Sequence, residues 1–128
     1  MICVNYVEDP DYFLIILRGD FDLQGITALL PELLERALRS RSCRVLVDAY
    51  KLSAPREEAD RFRLGEKIAE AVRGRFKVAV LSRFEHINKF MEDTAVNRGA
   101  TIFVTNDKDE ALEWLLGGHV PSELRYRR

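Results

Sequence analysis

Apolar residues recur along the chain with two different periods, and each switch of period marks an element boundary. Residues 2–7 alternate weakly between apolar and polar side chains and predict a strand. Glu8, Asp9, Pro10 and Asp11 form a cluster of strand-stopping residues. Residues 12–18, nearly continuous in apolar side chains, predict a second strand, and so short a connection makes the pair an antiparallel hairpin. Asp20 or Asp22 is placed to cap a helix. Ile26, Leu29, Leu30, Leu33, Leu34, Ala37 and Leu38 then fall at helical spacing, while Glu32 with Arg36 and Glu35 with Arg39 supply ion pairs on the other face. Pro31 lacks an amide hydrogen and crowds the preceding turn, which predicts a kink there or a helix beginning near Leu30.

The alternation then repeats. Residues 44–49, with Val45, Leu46 and Val47 in succession, predict a strand buried on both faces, as in a parallel sheet. Ser53, as cap, and Pro55 announce a helix whose buried stripe is Phe62, Gly65, Ile68, Ala69 and Val72. Gly65 would let this helix approach the sheet closely, and Gly74 stops it. Residues 76–81 predict a strand; Ile87, Phe90, Met91, Thr94 and Ala95 a helix closed by Gly99; residues 100–105 another strand. Asp107 and Glu110 form a capping box before Ala111, Leu112, Leu115 and Leu116, and Gly117 with Gly118 ends that helix. The order β-β-α-β-α-β-α-β-α implies an α/β fold. Its sheet has about five strands, mixed but mostly parallel, flanked by helices and joined by right-handed crossovers, with the opening hairpin antiparallel. Val45, Val47, Val78, Val80, Ile102 and Val104, or their alternates, should be buried. Residues 1–118 read as a single domain, and residues 119–128, with Pro121 and little periodicity, as a mobile tail.

Composition enters by exclusion. With 47% hydrophobic and 32% charged residues the chain is of ordinary globular type, and 20 basic residues against 21 acidic ones argue against a nucleic-acid partner. The longest apolar run, residues 13–17, is too short to cross a bilayer, so no transmembrane segment is expected. The first residues lack the pattern of a signal peptide, and the cytoplasm is the expected location. Cys3 and Cys43 have no metal or redox spacing, and His86 and His119 lie far apart in sequence, so neither metal nor cofactor is expected.

Two stretches resemble the STAS family, in its bacterial SpoIIAA-like branch. Residues 44–49, Arg-Val-Leu-Val-Asp-Ala, are similar to the family's third strand, a hydrophobic run ending in Asp or Asn. Residues 97–115, which end Glu110-Ala-Leu-Glu-Trp-Leu115, are similar to its closing strand and helix. The resemblance spans roughly residues 1–117 and implies a SpoIIAA-like fold and a non-enzymatic regulatory module with a protein partner. In the family's anti-sigma factor antagonists, a Ser is phosphorylated in an Asp-Ser-Ser-Gly-like motif at the start of the second helix. Carried over without gaps, those four positions fall on Arg56, Glu57, Glu58 and Ala59. The phosphorylatable Ser is missing, and carboxylates stand where a phosphate would be added.

The candidate sites come from topology. Parallel α/β sheets bind ligands beyond the carboxyl ends of their strands. Those ends offer Asp48, Tyr50, Ser82, Arg83, Glu85 and His86, near helix N-termini that favour an anion. A small-molecule, anion or lipid site there is the alternative to a protein-binding role; capping and loop-holding by Asp48 and Ser82 is the purely structural one. A hydrolase built from Ser82, His86 and Asp48 is a further alternative, although no Gly-x-Ser-x-Gly elbow surrounds Ser82. Arg98, beside Gly99, serves the helix dipole or contacts an anion or partner. Trp114 covers the sheet edge or marks a contact surface. Residues 51–63 carry Arg56, Glu57, Glu58, Asp60, Arg61 and Arg63. They are either a partner-selecting rim, with Ser53 nearby, or a solvated helix face held by a Glu57–Arg61 pair. The oligomeric state stays open, a dimer included.

Overall fold

The alternating hairpin residues pair as their pattern requires. In the computed structural model, which describes residues 1–118, β1 (Ile2–Glu8) and β2 (Phe13–Gly19) run antiparallel, with Val4 opposite Leu17 and Tyr6 opposite Ile15. The tail expected over residues 119–128, with His119, lies outside the described residues. After the hairpin come α1 (Leu23–Ser40), β3 (Arg44–Leu52), α2 (Glu58–Val72), β4 (Lys77–Leu81), α3 (Glu85–Asn97), β5 (Thr101–Thr105) and α4 (Lys108–Leu116). The described strands form one sheet in the order β1-β2-β3-β4-β5, and every neighbour pair after the first is parallel.

The apolar runs are buried on both faces, which is why they do not alternate. Every residue of β4 is buried. On one face, under α1, α2 and α3, lie Ile15, Leu17, Val45, Val78, Val80, Ile102 and Val104, with Val47 half-buried. On the other face Leu46 and Ala79 pack against Ala111 and Leu115 of α4. Trp114 covers this second face, its ring 5.3 Å from that of Phe103 and 4.6 Å from the Lys77 ammonium.

Several local expectations change. Asp22 is the cap of α1, accepting from the Gly25 amide at 3.0 Å. The helix starts at Leu23, not near Leu30, and continues through Pro31, because Ile26 before it and Leu33 and Ala37 after it are all anchored in the core. Ser53 does not cap α2: its Oγ accepts from the Phe21 amide at 2.7 Å, tying together the loops after β2 and β3. The N-cap of α2 is Glu57, which makes no side-chain cap bond. Gly65 faces α3, not the sheet. A Cβ there would lie 2.7 Å from the Met91 carbonyl oxygen and 2.8 Å from Thr94 Cβ, so the two helices touch backbone to backbone. The capping box is only half made: Asp107 accepts from the Asp109 and Glu110 amides, but Glu110 accepts instead from the Thr105 hydroxyl.

The expected Glu35–Arg39 pair forms at 2.7 Å, whereas Glu32 accepts from the Tyr6 hydroxyl at 3.0 Å and Arg36 stacks on the Tyr6 ring. Burial, then the hydrogen bond to Glu32 and its charge, raise the Tyr6 pKa, against an opposing pull from Arg36. A raised value means the fold prefers the neutral phenol. Its contribution is therefore complete below the ordinary value of 10.0 and is lost as pH rises through the higher folded value. Tyr6→Phe should flatten the alkaline fall of the melting temperature. Tyr12, raised by burial and by Asp9 and Asp11, should leave a remainder. Melting curves across the alkaline range check this, and an unchanged slope would contradict it.

At the β5 edge the chain supplies its own neighbour. From α3, Glu92 accepts from the Val104 amide and Lys89 Nζ donates to the Val104 carbonyl at 2.7 Å.

Candidate functional site

The strand-end polar residues divide between the two sides of the sheet. Asp48, on the α4 side, accepts from the Tyr50 amide at 3.1 Å and so holds its own loop. It lines a pocket with Asn5, Ile16, Arg18, Tyr50, Lys51 and Leu81. Ser82 is buried on the opposite side, where its Oγ accepts from the Phe84 amide at 3.1 Å and from Asn88 Nδ2 at 2.9 Å. Arg83 and His86 are exposed, and the Arg83 guanidinium lies over the Phe84 ring. Glu85 accepts from the Asn106 amide at 3.2 Å. No hydrogen bond among the described residues joins Ser82 to His86 or Asp48, and the geometry of a nucleophile, base and orienting acid is not assembled.

A different group does converge. Between the outer surfaces of α2 and α3 runs a groove lined by Glu58, Ala59, Phe62, Arg63, Glu66 and Phe90. Phe62 and Phe90, expected in the core from their spacing, are instead 40% and 38% exposed. The contact at Gly65 brings α2 so close to α3 that the seam has no room for a ring, and the two phenyls ride on its outer lip. Arg98 belongs to this surface: it pairs with Glu66 at 2.8 Å and its guanidinium lies 5.6 Å from the centre of the Phe62 ring.

The approach to the groove is held by Arg61. The expected Glu57–Arg61 pair does not form. The Arg61 Nη1 donates to the carbonyls of Pro55 at 2.9 Å and Arg56 at 3.2 Å, pinning the loop that precedes α2. Arg61 has turned toward these loop carbonyls and away from the solvated Glu57, and its Nε is buried without a hydrogen-bond partner. Glu58 and Asp60 stand in the first turn of α2, where the helix dipole favours negative charge. Among the described residues no group of His, Cys, Asp and Glu is arranged to hold a metal ion, and no helix is long and apolar enough to cross a membrane.

No protein-family model and no curated protein matches the chain. Solved structures do. One is an anti-sigma factor antagonist from Mycobacterium paratuberculosis, with a TM-score of 0.63 and 12% sequence identity, over 91% of this chain and 96% of that one. Another is an uncharacterised protein from Shewanella loihica PV-4 described as having a SpoIIAA-like fold, with a TM-score of 0.54 and 22% identity, over 89% of this chain and 93% of that one. The fold is SpoIIAA-like. Within this SpoIIAA-like frame, Arg56 ends the loop before α2, Glu57 is its N-cap and Glu58 and Ala59 open its first turn, where they also line the groove.

Proposed function

We propose that residues 1–118 of this SpoIIAA-like chain are a regulatory protein-binding module that works without catalysis and without a serine phospho-switch. Its contact surface is the α2–α3 groove together with the first turn of α2. The observation that carries this reading is the pair of half-exposed phenyl rings, Phe62 and Phe90, in one groove rimmed by Glu58, Arg63 and Glu66. Aromatic anchors inside a charged rim are the usual anatomy of a protein contact: the rings supply affinity, and the rim sets partner choice and on-rate.

The fold resemblance to an anti-sigma factor antagonist supports a protein partner. Glu57 and Glu58 give the start of α2 a permanent negative charge, so binding is constitutive or answers to another signal. The division of Ser82 and Asp48 between opposite sides of the sheet supports a role without catalysis.

Cross-linked pull-downs test this, using wild type, Phe62→Ala with Phe90→Ala, and Glu57→Ser with Glu58→Ser. Truncating two anchors should weaken capture of the specific partner at least about tenfold, and the Glu replacements should alter which proteins are captured. The side chains are exposed, so circular dichroism should show all variants folded. An unchanged partner set in both folded variants would sink the assignment.

A further inference from the structure

Between the sheet and its helical cover on the α1–α2 side lies a cavity of about 130 Å³, lined by Leu17, Leu30, Val47, Leu64, Val80 and Met91 among other apolar residues. None of its lining residues is charged. Its polar lining is Ser53, whose Oγ accepts from the Phe21 amide, together with Ser82 and Asn88. Asn88 is only 8% exposed, and its Oδ1 is buried with no hydrogen-bond partner, while its Nδ2 is committed to Ser82 Oγ. Ser82 Oγ already accepts twice, and its own hydrogen has no acceptor among the described residues.

Two independent features coincide here. Apolar cavities of about 150 Å³ stay dry and take up molecules the size of benzene. Buried amide oxygens are ordinarily satisfied, because leaving one bare in a low-dielectric interior costs as much as losing a hydrogen bond.

We propose that this cavity binds a small uncharged molecule with an apolar body and a single hydroxyl group, a phenol or a short-chain alcohol. The ligand hydroxyl would donate to Asn88 Oδ1 and accept from the Ser82 hydroxyl, completing both, while its body fills the space between sheet and helices. A carboxylate or phosphate is excluded by chemistry, since no cation lines the cavity to offset the desolvation of a charge. This goes beyond protein binding at the α2–α3 groove and uses none of the groove's aromatic residues.

The test uses the full chain at neutral pH, with phenol and benzene as probes in amide-resolved NMR titrations. Wild type should bind phenol saturably, with shifts centred on Ser82, Asn88 and the cavity wall. Asn88→Leu should retain benzene binding but lower the ratio of phenol to benzene affinity by about fivefold, the value of one hydrogen bond. Ser82→Ala, nearly isosteric, supplies the same readout if the leucine variant does not fold. Absence of saturable phenol binding to wild type, or an unchanged affinity ratio in a folded variant, would overturn the proposal.

Discussion

Leu115→Ala should lower the free energy of unfolding by about 3 kcal/mol, the middle of the range for emptying a fully buried leucine site. Leu115 is 0% exposed and, with Leu46, Ala79 and Ala111, makes up the small buried cluster beneath α4. That helix has nine residues, too few to persist without tertiary support. Its C-terminal carbonyls are also held from the sheet: Arg44 Nε donates to the Leu115 carbonyl at 2.9 Å, and Lys77 Nζ donates to that of Gly117. These bonds depend on Leu115 keeping the helix seated, so the substitution removes packing and loosens the polar contacts with it. Urea unfolding with an unchanged slope would give the value directly. Leu112→Ala, at a half-buried position on the same helix, should cost markedly less. Equal losses at the two positions would mean that the cluster is not what fixes α4.

Gly65→Val should also cost about 3 kcal/mol, by overpacking. The first added carbon would already lie 2.7 Å from a backbone oxygen, that of Met91, and a main chain inside a helix cannot rotate away as a side chain would. Relief requires α2 and α3 to separate, which disturbs Met91, Thr94 and Ala95 in the core. Gly25→Ala is the contrasting case. There the nearest atom, at 3.1 Å, is a side-chain oxygen, that of the capping Asp22 carboxylate, which can give by a few tenths of an ångström where a helix backbone cannot, and the gain in helix propensity offsets part of the crowding. The two variants compared by thermal melting should therefore differ widely; similar melting temperatures would contradict the close helix contact.

The sheet was legible because strand residues buried on both faces leave continuous apolar runs, as in Val45-Leu46-Val47, and because helices between such runs leave one parallel arrangement. Helix faces were less legible. Phe62 and Phe90 lie at core spacing, yet spacing fixes only an angle around a helix axis, and how far a neighbouring helix reaches around that angle depends on packing. Ser53 misled because a hydroxyl before a helix announces a cap by composition, while its true donor, the Phe21 amide, is distant in sequence. Asn88 was missed although a signal was present. It lies three residues before Met91 and seven before Ala95, so helical spacing puts its amide on the same buried face as Met91, Thr94 and Ala95. The cavity left no such trace, since unfilled space is a property of assembled volumes.

The self-supplied neighbour at the β5 edge bears on how copies of this domain could associate. Glu92 and Lys89 occupy the amide and carbonyl of Val104 that an incoming strand would use. A strand arriving from another molecule would find both backbone groups of that residue already taken. The two side chains thus blunt the β5 edge at Val104 against strand addition.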